Sequence, residues 1–119
     1  MIRIERELGR IKLNMLSLSL GRSICIILTD GESAVRTVNI GSHTHETNLI
    51  SMGSQEEYLL AANLSECLSE KYEGAFAICC GIHLDYFTEK ETAILIELSR
   101  EMIGELCLIF ENFVKGVNS

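Results

Sequence analysis

A run of eight residues without a polar side chain, Ala75–Ile82, constrains the fold of this chain more than any other feature. In a strand, successive side chains point to opposite faces of the sheet, so a fully apolar strand needs cover on both faces. A chain of 119 residues with only two clear helical patterns has little else to supply that cover. The run therefore predicts that another protein completes part of the core.

Charge and cysteine content narrow the class of protein. The formal net charge is −7, most of it in the second half of the chain. An acidic protein repels phosphate, which disfavours nucleic acids and anionic membranes as partners and favours a basic protein surface. No apolar stretch approaches the roughly 18 residues of a membrane span, and the alternating charges of Met1–Glu7 do not resemble a secretion signal. The five cysteines lie mostly in apolar segments, so we expect a reducing compartment: the cytoplasm, with the nucleus also open to the protein.

The first half of the chain is typical of β-structure. Alternation of apolar and other residues, together with the apolar run, predicts six strands, at 1–6, 11–20, 23–29, 34–40, 49–52 and 75–82. Within the second strand the apolar positions change parity between Met15 and Leu16, which predicts a β-bulge or a twist at that point. Gly21 followed by Arg22 fits a two-residue hairpin turn with glycine first.

Two capping boxes mark the helices. Ser54–Glu57 and Thr88–Glu91 each place a hydroxyl and a carboxylate three residues apart, as at a helix start. Helical spacing of apolar residues then continues to about Lys71 and about Val114. We expect one α+β domain over residues 1–119, with a mostly antiparallel sheet of five to six strands and both helices packed on one face.

The motifs that could carry chemistry are weak. His43 and His45 lack the further ligands that a metal site needs. Cys80 and His83 could form a thiol dyad, but Cys80 lies in the apolar run, where burial raises a thiol pKa and suppresses reactivity. Glycine-rich phosphate loops are missing from the sequence. We therefore expect no catalytic, cofactor-binding or metal-binding residue, and no enzymatic activity.

With both helices on one face, nothing in the chain is left to cover the other face of the sheet. The candidates for an interface with a second subunit are the apolar residues of the second and third strands: Leu16, Leu18, Leu20, Ile24, Ile26 and Leu28. Packing of two subunits sheet against sheet would remove these side chains from water.

The order of the segments resembles a known family. A hairpin over Leu13–Leu28, an amphipathic helix containing Leu60–Glu66, an apolar strand and a terminal helix containing Ala93–Glu97 resemble the small eukaryotic proteasome assembly chaperones, in particular the fourth, which is the heterodimer partner of the third. The resemblance extends from about Leu13 to Met102. It implies an antiparallel sheet with helices on one side, and no enzymatic activity or cofactor. It also implies pairing with a homologous small chaperone subunit, or with itself in isolation, and docking on proteasome alpha-type subunits during assembly of the 20S alpha-ring.

A second hypothesis is a small α+β dimerisation module of the roadblock or profilin-like kind, acting in trafficking or signalling. A roadblock domain normally begins with a helix, whereas the first 50 residues of this chain are typical of strands. This order disfavours the second hypothesis without excluding it.

Overall fold

The computed structural model describes residues 1–44, 47–83 and 87–118, with the backbone alone for 112–118. Within these ranges the chain forms a sheet and two long helices. The elements in chain order are β1 (Ile2–Leu8), β2 (Ile11–Leu20), β3 (Ser23–Thr29), β4 (Thr37–Gly41), β5 (Thr47–Ser51), α1 (Gln55–Lys71), β6 (Phe76–Gly81) and α2 (Glu89–Asn118).

The six strands form one mixed sheet in the order β1-β2-β3-β6-β4-β5. The pair β3–β6 is parallel, and the other neighbours are antiparallel. Helix α1 packs on β4, β5 and β6, and α2 packs on β1 and β2, so both helices cover the same face. The predicted fold class is confirmed. No described helix has the combination of length and apolar composition that a bilayer crossing requires.

The parity change in β2 is not a bulge, so that prediction is wrong. The register of β2 runs without interruption against β1 and against β3. Ser17 stays on the helix-covered face and is 2% exposed, while Leu16 and Leu18 point to the opposite face. The leucines therefore follow regular strand alternation, and the apolar pattern changes only because a serine occupies a core position. The turn at Gly21 has a positive φ of 63°, as a glycine-first hairpin requires.

Both predicted helix caps form, and the second is a complete capping box. The Ser54 hydroxyl accepts a hydrogen bond from the Glu57 amide at 3.3 Å. At the second box the bonds are reciprocal: the Glu91 amide donates to the Thr88 hydroxyl at 3.1 Å, and the Thr88 amide donates to a Glu91 carboxylate oxygen at 3.0 Å. These contacts satisfy amides that the first turn of a helix otherwise leaves open. Asp85, next to the second box, lies outside the described residues.

Strand β4 begins later than predicted, at Thr37 rather than residue 34. The Asp30 carboxylate accepts hydrogen bonds from the amides of Glu32 (2.9 Å) and Ser33 (2.7 Å), which holds the preceding segment in a tight turn. An aspartate that bonds amides two and three residues ahead competes with strand pairing. The alternation of apolar and polar residues over 34–40 does not reveal this turn, because the turn depends on the Asp30 side chain.

Candidate interaction surface: the open face of the sheet

The face of the sheet that carries no helix is here called the open face. Strand register aligns its side chains in rows that cross the sheet. One row comprises Arg3, Leu16, Ile27, Cys79, Val38 and Ile50. The next row comprises Leu18, Cys25, Ala77, Ile40 and Asn48. Apart from the residues at the ends of the rows, both rows are apolar, so an apolar band runs across the centre of the open face.

The band and its margins expose large apolar side chains. Leu20 is 65% exposed, Ile40 58%, Ile50 72% and Met52 79%. With the half-buried members of the two rows, these side chains expose on the order of 500 Å² of apolar surface, which is comparable to the largest apolar patch of a typical monomer, a patch that is often functional. Because the two rows adjoin in the sheet, these side chains form a patch rather than scattered surface hydrophobes, and the patch is a candidate interaction surface.

Charged residues at the β1 edge of the open face mark where the apolar band ends. On β1, the Arg3 guanidinium lies 3.8 Å from the Glu5 carboxylate, and Glu7 faces Lys12 across the β1–β2 pair. The opposite edge strand, β5, contains no charged residue. The open face is therefore charged along β1 and at Lys12 on the adjoining end of β2, while the two rows between β2 and β5 are apolar up to Asn48.

The structure divides the six predicted interface residues between the two faces. Leu16, Leu18 and Leu20 lie on the open face, where an interface is possible. The other three lie under the helices and are between 0% and 3% exposed: Ile24, Ile26 and Leu28. Their prediction as interface residues is wrong, because even-numbered residues of β3 line the core and odd-numbered residues line the open face.

Several residues of the open face were missed by the sequence analysis. Cys25 and Ile27 are the open-face members of β3, and Ile40 and Ile50 come from β4 and β5. The apolar content of both parities in β3 was visible in the sequence and could have suggested the first two. Ile40 and Ile50 lie in short strands with polar neighbours, and only the register places them next to the central strands.

Two thiols meet in the middle of the open face. Cys25 and Cys79 lie on the open face of the neighbouring strands β3 and β6, and burial, together with the nearby Cys25 thiol, raises the pKa of Cys79. Cys80 points to the covered face, where burial raises the pKa of its thiol to about 12. The proposed dyad partner, His83, lies past the end of β6, with its amide donating to the Asp30 carboxylate at 3.1 Å. A thiol with that pKa stays protonated at neutral pH and is a poor nucleophile.

Metal binding finds no support in the described part of the chain. No three histidine, cysteine, aspartate or glutamate side chains within it are close enough to hold an ion together. His43 is exposed, and His45 lies outside the described residues.

A large groove lies on the helical side. It has a volume of about 700 Å³ and runs between the end of α1 and the second half of α2. Lys71, Glu73 and Glu111 supply its charges, while Cys107 and Phe110 supply apolar surface. Burial raises the pKa of Cys107 to about 11, and the Phe110 ring lies 6.1 Å from that of Tyr72.

Comparison with known proteins gives a family match and a relative with the same fold. The family model described as "Prenylated flavin chaperone LpdD-like domain" matches residues 7–111. Among solved structures, the chain is similar to one in the crystal structure of a novel chaperone complex for yeast 20S proteasome assembly, with 12% sequence identity and a TM-score of 0.52. The match covers 87% of this chain and 99% of the yeast chain. No curated protein matches the sequence. At 12% identity the yeast likeness shows a shared fold, as the sequence resemblance implied.

Proposed function

This chain belongs to the LpdD-like family of prenylated flavin chaperone domains, and on that premise we propose that it is a non-enzymatic protein chaperone that binds other proteins through the open face. The observation that carries the proposal is the apolar band, which the chain's own helices leave uncovered. A chaperone needs a surface for other proteins rather than a reactive centre. The protonated Cys80 thiol agrees with that requirement.

The first partner in this proposal is a second subunit of the same fold, either a homologous small chaperone or another copy of this chain. Two sheets can pack face to face at about 10 Å with their side chains interdigitated. A standard interface buries about 800 Å² on each partner. The open face supplies on the order of 500 Å² of that as apolar surface, and the polar residues around the band can supply the rest.

The proposed client is a protein that depends on prenylated flavin, in line with the family description. The 700 Å³ groove is a poor fit for the phosphate of the flavin, because it lies at the C-terminal end of α1 and carries two glutamates against one lysine. A helix C-terminus has partial negative charge and repels a phosphate. We infer that this chain acts on the protein that carries the flavin, in a reducing compartment such as the cytoplasm.

The second candidate function is assembly of the 20S proteasome alpha-ring, as the heterodimer partner that the fourth assembly chaperone represents. The similarity in fold to the yeast chaperone complex supports it, since almost the whole of that chain aligns with this one. The family match favours the first candidate, because it concerns this sequence directly and spans residues 7–111.

Purification of the native complex tests the proposal. The tagged chain should retain a subunit of the same fold and a prenylated-flavin-dependent protein, identified by mass spectrometry. The variant Leu18→Lys should lose the partner that the open face binds, because a charge would then be buried in the apolar band. Recovery of proteasome alpha-type subunits would instead support the second candidate. Recovery of the same partners by the original chain and by Leu18→Lys would refute the open face as the binding surface.

A further inference from the structure

A second, smaller groove lies between β5 and α1, on the helical side of the sheet's free edge. Its volume is about 310 Å³. Thr47 and Leu49 line it from β5, and Tyr58, Ser65 and Glu66 line it from α1. Asn39 of β4 forms part of its floor. The groove is separated from the open face by the sheet itself.

Two polar atoms buried at this groove have no hydrogen-bond partner. Asn39 is 1% exposed and Ser65 is 2% exposed, and neither Asn39 Oδ1 nor Ser65 Oγ has a partner in the described part of the chain. Buried polar groups are paired in the great majority of native structures, so two at one cavity point to an occupant. Both atoms can accept a hydrogen bond, and the Glu66 carboxylate lies at the same groove. The site therefore favours a group with several donors and a positive charge.

The adjacent sheet edge is open to strand addition. β5 is the last strand of the sheet, so one side of its backbone pairs with no other strand of the described sheet. Proteins commonly protect such edges with charged residues or proline. The other edge strand, β1, carries Arg3, Glu5, Arg6 and Glu7, whereas β5 reads Thr-Asn-Leu-Ile-Ser and has neither charge nor proline.

We propose that this groove, here called the edge groove, binds an extended segment of another protein. The segment adds to β5 as a seventh strand and inserts one lysine between β5 and α1. The ammonium group of that lysine donates to Asn39 Oδ1 and Ser65 Oγ and pairs with Glu66, while its methylene stem packs on Leu49. Recognition by backbone pairing plus alternate side-chain positions is the β-augmentation mode.

The alternation of a strand sets the rest of the segment. Residues on either side of the lysine point to the open-face side, next to Ile50, which is 72% exposed. They should therefore be apolar, and Val-Lys-Val is the simplest core. The net charge of −7 attracts such a basic segment and repels an acidic one. This inference goes beyond the proposed function, because it places a second binding site at the β5 edge of the sheet, with the lysine held on the helical side.

Binding of a short labelled peptide tests the edge groove. The probe is fluorescein-labelled Ser-Val-Lys-Val-Ser with blocked ends, followed by fluorescence anisotropy on the full chain. We expect saturable binding with a Kd tighter than about 1 mM. Replacing the peptide lysine with glutamate, or methylating its valine amides, should weaken binding at least tenfold. Saturable binding that does not distinguish lysine from glutamate, or no binding up to that concentration, would overturn the proposal.

Protein variants locate the contact. Ser65→Ala and Glu66→Gln should each weaken binding of the lysine peptide severalfold or more, while Glu70→Gln, one helical turn further along α1, should leave it unchanged. Thermal unfolding of each variant checks that it is folded. If Ser65→Ala binds as well as the original chain, the unpaired atoms hold water only and the proposal fails. If Leu18→Lys abolishes peptide binding, the peptide contacts the open face instead, which also refutes the edge groove while leaving the proposed function intact.

Discussion

Adjacent residues of β3 should respond to truncation in opposite ways, because one faces the core and the next faces outward. Ile26 is 0% exposed, and Ile27 is half-buried on the open face. Ile26→Ala removes about 2.4 kcal/mol of transfer free energy and leaves a cavity, for a total loss of about 3.5 kcal/mol in unfolding free energy. In a chain of 119 residues, that loss lowers Tm by about 14 °C. Ile27→Ala should cost about 1 kcal/mol in the isolated subunit, because its side chain is only partly removed from water.

Thermal unfolding by circular dichroism at low protein concentration measures both losses, and sedimentation velocity measures association of the same variants. Ile26→Ala should lower Tm strongly and leave association of the folded fraction unchanged. Ile27→Ala should weaken association with a small change in subunit Tm. Equal losses of Tm for both variants at dissociating concentration would refute the assignment of faces, as would loss of association in Ile26→Ala alone.

Three further predictions concern charge, thiols and a turn. The side-chain hydrogen bond from Arg10, followed by the hydrogen bonds from Thr88, lowers the pKa of Glu91 from 4.5 to about 2. The ionised Glu91 therefore stabilises the folded chain fully above pH 4.5, and this stabilisation is lost as the pH falls towards 2. The Tm of Glu91→Gln should consequently fall less steeply over that pH range than the Tm of the original chain. Cys80, with a pKa of about 12, should resist a maleimide at pH 7.5 until the chain unfolds, and fast labelling of Cys80 in the folded protein would contradict its burial. Gly21→Ala forces a side chain into a φ of 63° and should cost about 1 kcal/mol in urea unfolding, whereas no loss would show that the turn relaxes.

Local chemistry made the helices predictable. The Thr88–Glu91 capping box defines the start of α2 without reference to the rest of the fold, and the structure reproduces both of its hydrogen bonds. In α1, Leu60, Leu64 and Leu68 are all fully buried, because residues three and four apart share one face of a helix. These features depend on neighbours within one or two turns, which a single sequence contains.

The face assignment within β3 was not predictable in the same way. Apolar residues occupy both parities of this strand, so alternation does not say which set faces the helices. The choice depends on non-local packing: Ile26 lies beside Ile78 in the parallel β3–β6 pair, under the helices. For β2, the prediction of a bulge came from Ser17, a polar residue at a position that faces the core; the strand itself is regular.

The sequence predicted the part of the candidate interaction surface that lies on β2, but not the part that lies on β4 and β5. The need for cover on both faces of the apolar run followed from its composition, and Leu16 and Leu18 were placed correctly on the open face. The outer part of the band depends on β4 and β5 joining the sheet beside β6, which brings Ile40 and Ile50 into rows with the central strands. That pairing joins residues far apart in the chain, and no local pattern specifies it.

Sedimentation velocity of the purified chain from about 1 µM to about 100 µM tests most directly whether a second subunit covers the apolar band. We predict a dimer that Leu18→Lys converts to a folded monomer. A wild-type chain that stays monomeric over the whole range, and that binds no hydrophobic dye such as ANS, would contradict the account.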